Sequence, residues 1–124
     1  MPPGLAVNKD GQKYEEQAAL FLRAAGYEIL DRNWATPMGE LDIVARKEGT
    51  VVFVEVRARS NPDYGTPAET VTAGKRARII KTAMAYIKAR RPEAETFRFD
   101  VIGIVPGGMP EHIEGAFSAD GFGF

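Results

Sequence analysis

The sequence of 124 residues contains no cysteine. That excludes a disulfide framework and a thiolate metal site, and it favours a reducing compartment. No apolar run approaches the ~20 residues needed to span a bilayer. Residues 1–11 contain Pro2, Pro3 and Gly4 but no apolar signal core, so the expectation is a cytoplasmic chain, neither secreted nor in a membrane. An excess of one charge is missing as well: 16 Lys and Arg stand against 17 Asp and Glu. Such a balance argues against a uniformly basic nucleic-acid coat. No Ser-His-Asp or Cys-His set can be assembled, and no Gly-rich loop has P-loop spacing. What is present, 44% hydrophobic and 27% charged residues, is the composition of one globular domain with its own core.

Residues 1–10 read as a tail, 11–117 as a single domain and 118–124 as a second tail. From Gly11 to Ala25, the recurrence of Tyr14, Ala18, Phe21 and Leu22 predicts a helix, which Gly26 stops. Tyr27 to Leu30 is a short strand candidate, and Pro37-Met38-Gly39 a turn. Leu41 to Arg46 and Val51 to Arg59 read as strands joined at Glu48-Gly49. Ser60 to Pro67 reads as a loop. Ala68 to Arg90 reads as the longest helix, with Ala73, Ala77, Ile80, Met84 and Ile87 on its inner face. Phe97 to Val105 is a further strand, and His112 to Phe117 is a candidate edge strand. The order predicts an α/β domain with a mixed sheet between helices.

The chemistry concentrates in Gly39-Glu40-Leu41-Asp42 and Phe53-Val54-Glu55-Val56-Arg57. Strand side chains alternate between faces. If Glu48-Gly49 form a two-residue turn, Asp42 falls directly opposite Glu55, and Glu40 opposite Arg57. Such opposed side chains have Cβ atoms ~5 Å apart, and like charges there destabilise the pair. Two carboxylates so placed need a shared proton or a cation, and Mg²⁺ or Mn²⁺ suits an all-oxygen site. The competing structural reading has Glu55 paired with an arginine and Asp42 ending a strand. Glu15 lies within roughly 60° of the apolar stripe of the first helix, at ~100° per residue, whereas Glu16 faces away. Glu15 is therefore either a third ligand or one half of a surface ion pair. The second helix is basic: Lys75, Arg76, Arg78, Lys81, Lys88, Arg90 and Arg91 occur with no acid among them. They suit phosphates, with Lys75, Arg76 and Arg78 the nearest candidates, or simply a solvated face. Asp100 reads as an ion-pair partner for a nearby arginine, His112 as structural or exposed, and Trp34 as a core or dimer contact.

Taken together, Gly11 with Glu15, Gly26-Tyr27 with Arg32-Asn33, the two strand motifs, Arg59, Lys75, Arg98-Phe99-Asp100 and Ala116-Phe117 resemble the YraN family of uncharacterised bacterial proteins. That family is similar in turn to the Holliday-junction resolvases of the restriction-endonuclease-like superfamily. The resemblance implies a restriction-endonuclease-like fold and a metal-dependent nuclease acting on DNA, with branched structures left open as substrates. It also implies an active site of Glu15, Asp42 and Glu55 holding Mg²⁺ or Mn²⁺, with Arg57 where the superfamily has lysine. Arginine can stabilise developing charge, but it is almost never neutral and so is a poor base. Two other functions fit the same residues: a non-catalytic nucleic-acid-binding module on that scaffold, and a structural or protein-interaction domain in which the acids are merely paired. DNA is the expected partner, and a homodimer is left open.

Overall fold

The structure, a computed structural model, describes residues 3–58 and 66–121, with side chains from Gly11 onward. Its elements are α1 (Pro3–Ala24), β1 (Glu28–Thr36), β2 (Gly39–Lys47), β3 (Thr50–Ala58), a 3-10 turn (Ala68–Thr70), α2 (Ala73–Arg90), β4 (Thr96–Ile104) and β5 (Glu111–Phe117). The strands form one five-stranded sheet in the order β1-β2-β3-β4-β5. All neighbours are antiparallel except β3 and β4, which run parallel because α2 carries the chain back between them. The domain is thus α/β, a mixed sheet flanked by two helices.

Glu48 and Gly49 both have positive φ, 50° and 80°, as the turn of a tight hairpin requires. They set the β2–β3 register, in which Lys47 faces Thr50 and Ile43 faces Val54. Alternation then sorts the side chains into two layers. Val44, Val51, Phe53, Phe99 and Val101 pack with Ile79, Ile80, Ala83 and Tyr86 of α2. Ile43, Ala45, Val52, Val54, Ile102 and Ile104 pack with Ala18, Ala19 and Leu22 of α1. Phe53 is the hub of the first layer, stacked on Phe99 at 5.3 Å and edge-on to Tyr86 at 5.9 Å.

Several sequence expectations need correction. The first helix starts at Pro3, so residues 3–10, read as a tail, are helical. Proline is favoured at the first helical position, and no further breaker follows Gly4 before Gly11. The second helix begins at Ala73 rather than Ala68. Val71 is extended, and the Thr72 side chain accepts a hydrogen bond from the Lys75 N–H, capping the helix. Removing this cap in Thr72→Ala should cost about 1 kcal/mol in chemical denaturation. The inner face of α2 is also phased differently. Ile79, Ile80, Thr82, Ala83 and Tyr86 are buried, while Met84 is exposed. The short strand expected at Tyr27 to Leu30 is instead nine residues long, β1. Most of the expected Ser60 to Pro67 loop, and residues 122–124 of the expected C-terminal tail, lie outside the described residues.

Candidate metal centre

Four carboxylates converge at one end of the β2–β3 hairpin. Asp42 lies one step beyond the Ile43–Val54 pair, across from Glu55, where a protonated Asp42 donates a hydrogen bond to the Glu55 carboxylate. The Asp42 carboxylate also accepts the Val56 N–H at 2.8 Å. Carboxylate oxygens of Glu15, Glu40 and Asp42 all lie within 4.8 Å of one another. Glu15 therefore reaches the sheet from α1, whereas Glu16 is exposed and paired with Arg32 at 2.6 Å. Asn33 holds this approach in place. It sits in β1 between Arg32 and Trp34, hence across from Asp42, with a left-handed φ of 53° that asparagine tolerates. Its side chain hydrogen-bonds Glu15.

Burial, with neighbouring acids, raises the proton affinity of two of these groups, Asp42 and Glu15. Burial pushes Asp42 up to about 8, and the neighbouring Glu55 charge adds to the shift. Burial likewise raises Glu15, helped by Glu40 and Glu55 and opposed by Asn33 and Arg32. One oxygen of Glu15, Oε1, is buried with no hydrogen-bond partner. A buried carboxylate oxygen left unpaired is costly unless a proton or cation occupies the space beside it.

Cations approach from α2. Lys75 Nζ lies 2.9 Å from Glu55 Oε1. Arg78 joins Gly39, Glu40, Asp42, Glu55 and Lys75 around a cavity of about 350 Å³. Gly39 permits this approach: a Cβ there would sit 2.9 Å from Thr82 Oγ1, and Thr82 is fully buried in α2. The glycine thus lets the helix lie close enough for Lys75 to reach across the acids.

The structure brings together Glu15, Asp42, Glu55, Lys75 and Arg78 of the residues singled out from the sequence. It does not bring Arg57 to them. The Arg57 guanidinium is instead tied to Thr70, through Oγ1 at 3.1 Å and the carbonyl at 3.5 Å. Arg76 is turned to the carbonyls of Val71 and Ala68 at 2.9 and 3.1 Å and lies over the Phe117 ring. It fastens the start of α2 rather than facing the cavity. Glu40 is the acid that the sequence reading did not include. Its signal was its position two residues before Asp42 on the same strand.

A separate polar cluster lies on the sheet face that packs against α1. Asp100, fully buried, accepts from Arg98 at 2.8 Å and from the Gly115 N–H at 3.0 Å, and pairs with His112 at 2.7 Å. Burial would raise its carboxyl, but the bonds from Arg98, His112 and Gly115 outweigh that and hold it below its ordinary value. Gly115 has a φ of 60° at the irregular β4–β5 pairing, which turns its N–H toward Asp100. This cluster meets the expectation of an arginine partner for Asp100 and a structural role for His112.

Residues 14–104, most of the chain, match the model of uncharacterised protein family UPF0102. The chain belongs to that family. It is 44% identical over 112 residues to a UPF0102 protein of Myxococcus xanthus, covering 88% of this chain and 89% of the relative. Identity to the UPF0102 protein of Persephonella marina is 42% over 110 residues, covering 89% and 94% of the two chains. A Nocardia farcinica UPF0102 protein is 43% identical over 111 residues, covering 86% and 87%. The matched region of this UPF0102 protein includes Glu15, Glu40, Asp42, Glu55, Lys75 and Arg78. Among the described residues, no helix is long and apolar enough to cross a membrane.

Proposed function

We propose that this UPF0102 protein is a divalent-metal-dependent phosphodiesterase acting on DNA, on a restriction-endonuclease-like scaffold. The observation that carries the reading is the convergence of carboxylates from α1, β2 and β3 beside a cavity whose other wall bears Lys75 and Arg78. The donor set fits Mg²⁺ or Mn²⁺: all its atoms are carboxylate oxygens, and Glu15 Oε1 is buried and unpartnered. Asp42, Glu15 and Glu40 would hold the ion, with Glu55, paired to Lys75, beside them. The ion would supply Lewis-acid activation of the phosphodiester and of the attacking water. Lys75 and Arg78 then place positive charge where the phosphate gains negative charge, the role the sequence reading gave to Arg57. The antiparallel hairpin followed by a helical crossover to a parallel strand suits that scaffold.

Incubating the protein with linear, flapped and four-way DNA, in Mn²⁺ and in chelator, tests the reading. Cleavage in Mn²⁺ alone, absent in Asp42→Asn, is the expected result. Metal-independent binding without cleavage would instead indicate a non-catalytic module, and neither binding nor cleavage a structural domain. Lys75→Gln should lower cleavage by about a hundredfold, the scale of one lost charge-stabilising donor. It should not weaken the Mn²⁺-induced rise in melting temperature, because Lys75 pairs with Glu55 and not with the three acids that would hold the ion. Unchanged cleavage with weaker Mn²⁺ binding would remove Lys75 from the chemistry.

A further inference from the structure

Beside the acidic cavity lies a second, wider groove of about 580 Å³, lined by Met38, Lys81, Met84, Ile87, Lys88 and Phe97 among others. Met38 lines both spaces, so the groove continues directly from the cavity. Met38 and Met84 are 50% and 37% exposed, unusual for large apolar side chains. Methionines together with a phenylalanine offer a pliable apolar floor that suits flat rings of varied outline. The polar groups are all cationic. Arg78, Lys81 and Lys88 fall within about 80° of one another on α2, at ~100° per residue. Among the described residues no carboxylate pairs with any of the three.

An apolar floor bordered by unpaired cations fits a polymer that is anionic along its backbone and aromatic in its side groups. Single-stranded nucleic acid has both properties, with bases that stack on side chains and phosphates that meet lysines. A duplex would keep its base faces hidden. A second copy seated on this groove would set Lys81 and Lys88 against the same cations. We propose that the groove binds unpaired bases of a single-stranded segment flanking the phosphodiester held in the acidic cavity. The proposal rests on the phosphodiesterase reading for the position of that phosphodiester, and it makes a junction between duplex and single strand the substrate class.

The test compares a blunt DNA duplex with the same duplex carrying an oligothymidine tail at either end of one strand. Binding to the full chain is followed by fluorescence anisotropy in Ca²⁺, and cleavage is measured separately in Mn²⁺. One of the two tails should tighten binding about tenfold, the scale of one or two stacked bases. Met84→Glu should abolish that gain, and so should the double substitution Lys81→Ala with Lys88→Ala. In both, the ratio of tailed to blunt affinity should fall to about one, which separates loss of the tail gain from a general loss of positive charge. The residues lie on the surface, so the variants should melt close to wild type, and the two chemically distinct changes guard against one failing to fold. No gain from either tail, or a gain that both variants retain, overturns the proposal even if Mn²⁺-dependent cleavage is found. A chain that self-associates through Met84 without any tail effect overturns it as well. If the tail gain is present and lost in the variants but no DNA is cleaved, the groove stands and the phosphodiesterase reading falls.

Discussion

In chelator at pH 8, Asp42→Asn should melt higher than the wild type and should no longer respond to Mn²⁺. The folded chain raises Asp42 from 3.8 to about 8. Across that interval the native state holds a proton that the unfolded state has released. Stability of the metal-free wild type therefore falls as pH rises from about 4 to about 8, then levels off. Asparagine does not titrate, and its side-chain oxygen can still accept the Val56 N–H, so the Asp42 part of this slope should disappear, leaving that of Glu15. The advantage of the variant at pH 8 should exceed about 1.4 kcal/mol, the equivalent of one pKa unit, and should shrink toward pH 4. In the wild type, Mn²⁺ at ~100 times its dissociation constant should add about 2.7 kcal/mol at pH 8. Differential scanning calorimetry of both proteins, in chelator and in Mn²⁺, gives all four quantities. A variant less stable than wild type at pH 8, with no metal response in either protein, would make the acids a structural ion-pair network and end the metal reading.

Asp100→Ala should cost about 3 kcal/mol, the scale of removing one partner from a buried charged pair. Four groups lose their acceptor or partner at once: the two Arg98 nitrogens, His112 and the Gly115 N–H. Asp100→Asn keeps an acceptor oxygen and should cost less. The pH dependence has the opposite sign to that of Asp42. A carboxyl held below its ordinary value contributes stability above the unfolded value and loses it as pH falls through the folded one. The wild type should therefore lose stability in acid more steeply than Asp100→Ala. Urea titrations at several pH values measure both effects. A cost below about 1 kcal/mol would mean that Asp100 does not hold β5 to the sheet.

Features governed by local rules were legible in the sequence. Alternation on either side of Glu48-Gly49 sufficed to oppose Asp42 and Glu55, because a two-residue turn leaves one register. Helical phase sufficed to separate Glu15 from Glu16. What escaped depended on long side chains and on contacts between elements. Lys75 was read as a cation for phosphate and not as the partner of Glu55, but the inner face of α2 runs through Ile79, Ala83 and Tyr86, and a four-carbon stem covers the rest of the way to Glu55. Arg57 has the strand position expected of a catalytic cation. Its guanidinium is taken by Thr70, at the end of a 3-10 turn that periodicity could not separate from the helix following it. The start of that helix turned on Val71 and Thr72, a β-branched pair whose second member caps. Glu40 needed no tertiary information, only the same alternation extended by one step.

The parallel pairing of β3 with β4 also governs the order in which the site can assemble. The β2–β3 hairpin is local in sequence, so it can close early and set Asp42 against Glu55 before α2 has docked. The parallel pair must wait for the whole of α2 to fold back, and Lys75 arrives only with that helix. During refolding the two acids therefore face each other without their lysine. A proton or a divalent cation in the refolding buffer can take its place during that interval.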